Sequence, residues 1–483
     1  MSAAPGIAMF ATVAMLLLVT GLPSWLVLVA VTLMFGAGGV VLGAVSPSLL
    51  TAMPARVQGL LESDILQALP LYVLLGAMLN HLPLAGIVFR ASSRALRGTG
   101  AGPSLAALGL AALLAPMNGS VGASALMLGR AVQPRLDATG LPRERGAALV
   151  CVASTLGVVV PPSLVLILLG DAMMRAHTEA LNVTHAATRI LNTQDIFVGA
   201  LPPALVLFVL VAAIAWFRGR GPRAQAAHSA PVRTGEWMLA VGTLLFIVAL
   251  LAGVTFGYLF AVEAAAAGGV ALFAFGLASR TLSREVLRAV LRDTIAITGA
   301  LFALLLAATM FTLVLRAYGT DRWLADMLAA LPGGATATLA VVLALIAGCG
   351  LVLDAFEMIF VVIPVVMPPL LAIVPEPTWI AVLALLILQA SFLLPPLGYA
   401  ILLTRQMQAQ RPPLRPLMRS LAPYLAAQWL VFALVLAVPA LVWQRNPLAL
   451  PTAVQGTDSP EAGRDALMDQ LNRDEPANDE AKP

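Results

Sequence analysis

The sequence predicts an all-α polytopic membrane protein with an inverted structural repeat, two re-entrant hairpins and two broken helices. Hydrophobic residues make up 60% of the 483 residues and charged residues 11%, and the mean hydropathy is +0.94. Soluble domains carry about 25% charged residues, so this composition excludes a soluble globular fold. Apolar stretches recur along most of the chain, and a double proline interrupts two of them.

A helix needs about 20 apolar residues to cross a bilayer. The stretches that meet this measure are 5–21, 24–45, 66–82, 147–170, 196–217, 237–254, 259–278, 295–315, 379–404 and 421–443. Two further apolar stretches, 104–128 and 336–374, contain glycine, proline and polar residues and fit a simple span poorly. The first stretch has no basic region and no small-residue cleavage site, so we interpret it as a span and not as a removable signal.

The arginines predict which loops face the cytoplasm. They cluster at Arg90–Arg97, Arg130–Arg145, Arg218–Arg233, Arg280–Arg292 and Arg405–Arg419, whereas the other loops are neutral or acidic. With the basic loops in the cytoplasm, the spans alternate correctly under one condition. The stretch 104–128 must enter and leave from the cytoplasm, and the stretch 336–374 must enter and leave from outside. Each is therefore predicted to be a re-entrant hairpin.

This reading divides the chain into two repeats of opposite orientation. Residues 1–217 form the first, with a hairpin at about 104–128 and a broken helix at 147–170, and 218–236 form a basic cytoplasmic linker. Residues 237–443 form the second, with a hairpin at about 336–374 and a broken helix at 379–404, and the polar tail 444–483 is expected to be disordered. Inverted repeats with broken helices at matching positions are typical of secondary transporters.

The two breaks lie in "ASTLGVVVPPSLVLILLGD" (153–171) and "LQASFLLPPLGYAILLTR" (388–405). Proline lacks a backbone N–H and disrupts the preceding helical turn. Irregular backbone inside a membrane must be buried or line a cavity, so we expect the breaks and the hairpin tips to meet near the midplane. Half-helix N-termini there favour anions, and unwound carbonyls favour cations. An anionic substrate coupled to a small cation follows.

The first break and the first hairpin tip supply the best candidates for a cation site. Sodium needs several oxygen ligands, which short hydroxyls beside unwound carbonyls can provide. The candidates are Ser154, Thr155, Gly157, Pro161 and Pro162 in the break and Asn118, Gly119, Ser120 and Gly122 in the tip. The alternative is that small residues only allow the helices to pack closely.

At the second break the candidates are Ser391, Pro395, Pro396 and Gly398. The sodium candidates with side-chain oxygens are therefore Ser154, Thr155, Ser120 and Ser391. Asp354 and Glu357 are the acids within the second hairpin, and carboxylates at membrane depth are functional candidates by default. They could coordinate a cation, relay a proton or cap the hairpin tip, and the structural role is favoured. For Asp171 and Glu263 we expect capping or interfacial roles.

Other classes of function find little support. The two cysteines and four histidines are scattered, without HExxH or metal-ligand spacing, and no GxSxG or paired-aspartate signature is present. We therefore expect no enzyme and no cofactor, and a net charge of +4 in such a chain says little about nucleic acid, which we do not expect as a partner. The segment "LSREVLRAVLRD" at 282–293 has an apolar and a basic face and is predicted to lie along the cytoplasmic surface.

Five segments together resemble the large membrane (M) subunit of tripartite ATP-independent periplasmic (TRAP) transporters: "GASALMLGR", the two double-proline segments, "FAVEAAAAGG" and "LDAFEMIFVVIPVVMPPL". The segment "LDAFEMIFVVIPVVMPPL" contains a D-x-x-E motif that resembles one in the family branch called mannitol/chloroaromatic type. The resemblance implies an elevator-type mechanism and sodium-driven uptake of an organic acid across the bacterial inner membrane. It also implies two partners, a small four-helix membrane (Q) subunit and a periplasmic substrate-binding protein.

The chain departs from that family pattern at several positions. Leu394 precedes the second double proline, where family members usually have threonine, and "GVVV" follows Leu156 in place of "GPII" or "GQII". The tip "APMNGSVGAS" is also unusual. Leucine offers no side-chain oxygen to a cation, which leaves the number of coupled ions open. The main alternative is a stand-alone ion-coupled symporter of dicarboxylates or other organic anions with a related architecture.

Overall fold

The computed structural model describes residues 4–51, 53–62, 64–96, 100–118, 120–185, 189–218, 234–395, 398–408 and 411–442. Within these residues the regular structure is helical throughout. The predicted tail 444–483 lies outside the described residues, and so does most of the predicted linker 218–236. Gly119 and Pro396 lie outside them as well, and the side chain of Asn118 is not described.

The first half of the chain contains twelve α-helices among its described residues. They are α1 (Ala4–Thr20), α2 (Ser24–Val41), α3 (Pro47–Thr51), α4 (Met53–Leu61), α5 (Asp64–His81), α6 (Leu84–Ala95), α7 (Gly102–Leu114), α8 (Val121–Ala131), α9 (Gln133–Ala138), α10 (Arg143–Val159), α11 (Leu164–Thr184) and α12 (Thr193–Arg218). A 3-10 turn, Ala115–Asn118, joins α7 to α8 at the tip of the predicted first hairpin.

The second half contains ten α-helices among its described residues. They are α13 (Thr234–Phe256), α14 (Ala261–Ala278), α15 (Arg284–Ala317), α16 (Thr320–Ala329), α17 (Gly334–Cys349), α18 (Ala355–Glu357), α19 (Ile363–Ile373), α20 (Pro377–Ser391), α21 (Tyr399–Met407) and α22 (Leu414–Ala437). A π-helical turn, Met358–Val362, runs from α18 into α19. The predicted second hairpin therefore consists of α17 and the run α18–α19.

The described residues include seven helices that are long and apolar enough to cross a membrane, or up to nine if each bent helix pair is one span. One bent pair is α10 and α11, with an angle of 40° between them. The other was not predicted: α5 and α6 are bent by 63° on either side of Pro83. The chain is thus a polytopic helical membrane protein with broken helices, as predicted.

The first break has a direct chemical cause. Pro161 and Pro162 lack the N–H groups that would continue α10, whose last helical hydrogen bond runs from Val160 N–H to the Leu156 carbonyl at 3.1 Å. Ser163 then begins α11, because its hydroxyl accepts the Leu166 N–H at 3.1 Å. The second break follows Ser391, and the chain becomes helical again at Tyr399. Both predicted breaks are therefore present.

The two helices that lead into the breaks lie at the centre of the molecule. Every residue from Gly146 to Val159 in α10 and every residue of α20 is buried. By contrast, only 33% of the apolar window of α2 and of α14 is buried, and these helices expose large apolar side chains such as Leu33, Met34 and Val270. We infer that the outer helices face lipid and surround the broken helices.

One expectation about the second half was wrong. Residues 282–293 do not form a separate surface helix, because α15 runs without interruption from Arg284 to Ala317, a length of 34 residues. At 1.5 Å per residue this is roughly 51 Å, well beyond the hydrocarbon core of about 30 Å. Ser283 caps its start by accepting the Val286 N–H at 3.2 Å. No proline follows before Ala317, so nothing ends the amphipathic segment before the apolar one begins.

Candidate functional site

The tip of the first hairpin lies against the first break and encloses a small cavity with it. The empty volume of this cavity is about 220 Å³, which includes space open to solvent. Ser120 and Ser124 line it from the hairpin, and Ser154 and Ser163 line it from either side of the break. Four hydroxyl groups from distant parts of the sequence therefore converge on one place.

Gly157 allows this close approach. A Cβ atom built on Gly157 would lie 2.5 Å from the carbonyl carbon of Ala115, 2.6 Å from its Cβ and 2.7 Å from its oxygen. Two of these three atoms belong to the backbone and cannot move aside as a flexible side chain could. Only glycine at this position lets the 3-10 turn of the hairpin tip rest on α10.

Three of the four hydroxyl groups around the cavity donate their protons to nearby carbonyl groups, and the fourth, of Ser120, accepts the Ala123 N–H at 3.0 Å. Ser154 Oγ donates to the Cys151 carbonyl at 2.8 Å, and Ser124 Oγ donates to the Ser120 carbonyl at 3.1 Å. Ser163 Oγ donates to a carbonyl in the last turn of α10 at 3.0 Å. A hydroxyl has one proton and two lone pairs, so a hydroxyl that donates to a carbonyl can still offer its oxygen to a second group. The chemistry of these groups suits a cation.

The backbone adds polarity of both signs at the same break. The C-terminal end of α10 carries partial negative charge, and the N-terminal end of α11 carries partial positive charge. The break thus presents a cation-favouring and an anion-favouring helix end a few residues apart, separated only by residues 160–163. The Pro161–Pro162 peptide bond within it is cis.

The structure separates the predicted residues of this site into two groups. Ser120, Ser154 and Gly157 line the cavity. Thr155 is fully buried, does not line the cavity, and donates its hydroxyl proton to the Val152 carbonyl at 2.9 Å. Gly122 faces the other broken helix, since a Cβ there would lie 3.2 Å from the hydroxyl oxygen of Tyr399 in α21.

Eight of the eleven residues that line the cavity were not among the sequence candidates: Ser124, Ser163, Pro116 and the apolar residues Ala115, Val121, Val158, Leu164 and Val165. A sequence signal existed for the two serines. Ser124 lies four residues after Ser120 and therefore on the same helix face. Ser163 directly follows the double proline and precedes an apolar run, which is the pattern of a helix N-cap. Pro116 had no such signal.

The second hairpin and the second break also touch. A Cβ built on Gly350, which follows α17, would lie 3.0 Å from the Cβ of Ser391 at the end of α20. The Ser391 hydroxyl donates to the Leu388 carbonyl at 2.7 Å, which leaves its oxygen free to accept. Gly398 caps α21 with a positive φ of 38°, a conformation that glycine adopts at little cost. Pro395 is exposed in the turn before it.

Asp354 and Glu357 form a reciprocal cap at the tip of the second hairpin. The Glu357 N–H donates to Asp354 Oδ1 at 2.9 Å, and the Asp354 N–H donates to Glu357 Oε2 at 3.1 Å. This is a capping box, which satisfies two of the N–H groups that a helix start leaves without partners. The favoured structural role is thus present in the geometry, and cation contact by either acid stays a prediction.

The remaining polar residues have local roles. Asp171 forms an ion pair with Arg175 one turn later at 3.1 Å, and Glu263 accepts the Phe260 N–H at 2.9 Å at the start of α14. Among the described residues, no group of three or more His, Cys, Asp or Glu side chains is placed to hold a metal ion. Cys151 and Cys349 form no disulfide with each other.

Comparison with known proteins gives the same picture at the level of family and fold. The sequence model of the family described as "Tripartite ATP-independent periplasmic transporter, DctM component" matches residues 10–441. The chain is 23% identical to the C4-dicarboxylate TRAP transporter large permease protein DctM of Pseudomonas aeruginosa over 415 residues, covering 84% of this chain and 90% of that one. It is also 23% identical to the sialic acid TRAP transporter large permease protein SiaM of Vibrio cholerae, covering 79% and 86%.

Among solved structures, the fold resembles the YdaH transporter of Alcanivorax borkumensis with a TM-score of 0.57 and 18% identity. The match covers 83% of this chain and 90% of that one, and at this identity it bears on the fold alone. The family match spans nearly all of the described helices. The chain therefore belongs to the DctM family of TRAP transporter large permeases, and it is a multi-pass membrane transporter and not an enzyme.

Proposed function

We propose that this chain imports an organic carboxylate by secondary transport coupled to sodium. The observation that carries the proposal is the cavity between the first hairpin tip and the first break, with its converging hydroxyl groups. Such a site has no use in a membrane anchor. Coupling follows because one break offers a cation-favouring and an anion-favouring helix end together.

The donor set at the first break fits sodium. Hard cations take oxygen ligands, and here Ser120, Ser124, Ser154 and Ser163 line the cavity with neutral hydroxyl groups. Three of these hydroxyls, those of Ser124, Ser154 and Ser163, donate their protons to backbone carbonyls. Sodium carries a single charge, so neutral oxygens suffice. At the second break Ser391 is the one candidate side-chain oxygen beside Gly350, and Leu394 supplies none. A second ion there would rest mainly on backbone carbonyls.

The carboxylate assignment draws on two observations. The relatives named above are permeases for C4-dicarboxylates and sialic acid, and both substrates are carboxylic acids. The N-terminus of α11, capped by Ser163, points a positive helix end toward the cavity region. A carboxylate would be held there by N–H groups and hydroxyls. The mannitol/chloroaromatic branch is proposed on the D-x-x-E motif of the second hairpin.

The wider mechanism is proposed on the same basis. The transport unit would be an inverted repeat, residues 1–217 and 237–443, and it would work as an elevator in the bacterial inner membrane. Family membership supports two partners, a small four-helix membrane subunit and a periplasmic binding protein that delivers the substrate. The binding protein would then set much of the substrate selectivity.

Thermal unfolding tests the cation site. We expect NaCl to raise the unfolding midpoint of the purified protein relative to KCl and choline chloride at equal ionic strength, because a ligand that binds only the folded state stabilises it by about 2.7 kcal/mol at a hundredfold excess. Ser154→Ala should remove this response, since Ser154 lines the cavity. Thr155→Val is the matched control, because Thr155 is adjacent but faces away. Equal responses in all salts would refute sodium binding at this site.

Reconstituted uptake distinguishes the tripartite system from the alternative of a stand-alone symporter. We expect uptake in proteoliposomes to require the small membrane subunit and the binding protein. Carboxylate uptake by this chain alone, with sodium dependence intact, would overturn the partner assignment and leave the cation site standing.

A further inference from the structure

A second cavity lies apart from the transport site, between the ends of α7, α10, α12 and α22. Its lining includes Arg145, Arg218, Ser104, Ser420 and Tyr424, and its empty volume is about 280 Å³, which includes space open to solvent. We call it the arginine pocket. The four helices meet at the ends where the sequence places its cytoplasmic arginine clusters.

Three hydroxyl groups line the arginine pocket on residues that are largely buried. Ser104 is 2% exposed, Ser420 is 8% exposed and Tyr424 is 6% exposed. No hydrogen bond joins these side-chain hydroxyls to any other part of the chain that the structure describes. Their oxygens are not among the buried side-chain atoms that lack a partner, so they are open to the pocket and can donate to a ligand that enters it.

The charge around these hydroxyls is positive. Neither Arg145 nor Arg218 takes part in an ion pair with a described residue. Arg145 instead donates to the Arg218 carbonyl at 3.3 Å, at the last residue of α12. This contact uses one of the five guanidinium donors of Arg145 and brings the two arginine residues to the same side of the pocket.

Two helix starts add to this positive charge. Ser104 is in the first turn of α7, which has 13 residues, and Arg145 is in the first turn of α10, which has 17 residues. The first N–H groups of a helix have no partner within the helix and favour anions. Guanidinium groups, hydroxyls and helix N-termini all bind oxyanions in proteins.

We propose that the arginine pocket binds a phosphate group. A phosphate presents three or four oxygens, which matches two guanidinium groups and three hydroxyl donors better than the two oxygens of a carboxylate. The group could belong to an anionic phospholipid head group or to free phosphate. Trp216 and Phe217, directly before Arg218, are 41% and 68% exposed, and exposed aromatic residues at a helix end are typical of the lipid head-group level.

Bound phosphate would join the first hairpin, the first broken helix, α12 and α22 at one end of the molecule. The phosphate would hold these four helices together. It would not contact the transported solute. The proposal does not depend on sodium coupling or on the identity of the carboxylate, because none of the pocket residues lines the cavity at the first break.

The test measures binding to the purified full chain in two arms. The first titrates inorganic phosphate against chloride at matched ionic strength in phosphatidylcholine nanodiscs. The second compares nanodiscs with and without phosphatidylglycerol in phosphate-free buffer. Both follow the thermal unfolding midpoint. We expect at least one phosphate source to raise the midpoint specifically, and the arm that responds identifies the source.

Variants tie the response to the pocket. Tyr424→Phe removes one donor and preserves the packing of the ring, so we expect it to fold and to weaken the response several-fold. The double variant Arg145→Gln with Arg218→Gln should reduce the rise in the unfolding midpoint at least tenfold. Arg288→Gln, an exposed arginine of α15, is the control and should respond as the wild type does. No specific response in either arm, or an unchanged response in Tyr424→Phe and the double variant, would overturn the proposal.

Discussion

Replacing Gly157 with alanine tests whether the first hairpin tip must rest on the first break. The new methyl group would lie 2.5–2.7 Å from three atoms of Ala115, far inside van der Waals contact. Forcing extra volume into a packed site costs about 1–3 kcal/mol, and the backbone atoms on the other side give little room for relaxation. We therefore expect Gly157→Ala to be destabilised and to lose its sodium response, because the hairpin serines would move away from Ser154.

Gly109→Ala provides the matched control within the same hairpin. A Cβ on Gly109 has no atom within 4 Å, and alanine in a helix is about 0.5–1 kcal/mol better than glycine. Gly157 is helical as well, so this gain is common to both variants, and they should differ in unfolding free energy by about 1–3 kcal/mol, the cost of the extra volume. The assay is thermal unfolding of both variants and wild type in NaCl and in KCl. Equal midpoints and an intact sodium response in Gly157→Ala would refute the packing argument.

Three further predictions concern the second half of the site and its surroundings. Gly350→Ala should cost about 1 kcal/mol, the low end of the range for overpacking, because its new methyl would make one tight contact, 3.0 Å to Ser391 Cβ, and its other contacts would be 3.4 Å or longer. A loss well above this in thermal unfolding would contradict the prediction. Asp354→Ala should cost about 0.5–2 kcal/mol of unfolding free energy, whereas Asp354→Asn should keep the helix cap. If Asp354→Asn loses the stabilisation by sodium, Asp354 binds the cation instead. Arg316 and Glu179 form an ion pair at 2.8 Å that is about one-third exposed, so a double-mutant cycle should give a coupling of at most about 1 kcal/mol, and a larger value would show that this pair fastens α15 to α11.

The features predicted correctly from the sequence depend on local chemistry. Proline lacks a backbone donor wherever it lies, so Pro161 and Pro162 end a helix without regard to the rest of the fold. The length of an apolar stretch likewise predicts a membrane span, because a helix in lipid forms all of its backbone hydrogen bonds within itself. The D-x-x-E spacing of Asp354 and Glu357 likewise contains the capping box within four residues. These predictions needed no knowledge of distant contacts.

The errors arose where two local signals compete over a longer stretch. The amphipathic pattern at 282–293 and the apolar pattern after it suggested two helices, but α15 is one. Helix formation is cooperative, and extending an existing helix costs less than starting a new one. No proline lies between the two patterns, so the helix continues.

By itself the sequence determined the membrane class, the broken helices and the residue types available for binding. Only the tertiary structure decided which of these residues meet. Thr155 and Ser154 are neighbours in the chain with similar hydroxyls, yet only Ser154 lines the cavity, because successive residues of a helix point in directions about 100° apart and the hairpin approaches from one side. The meeting of Ser104, Arg145 and Tyr424 likewise depends on the packing of three helices distant in sequence, which no local pattern specifies.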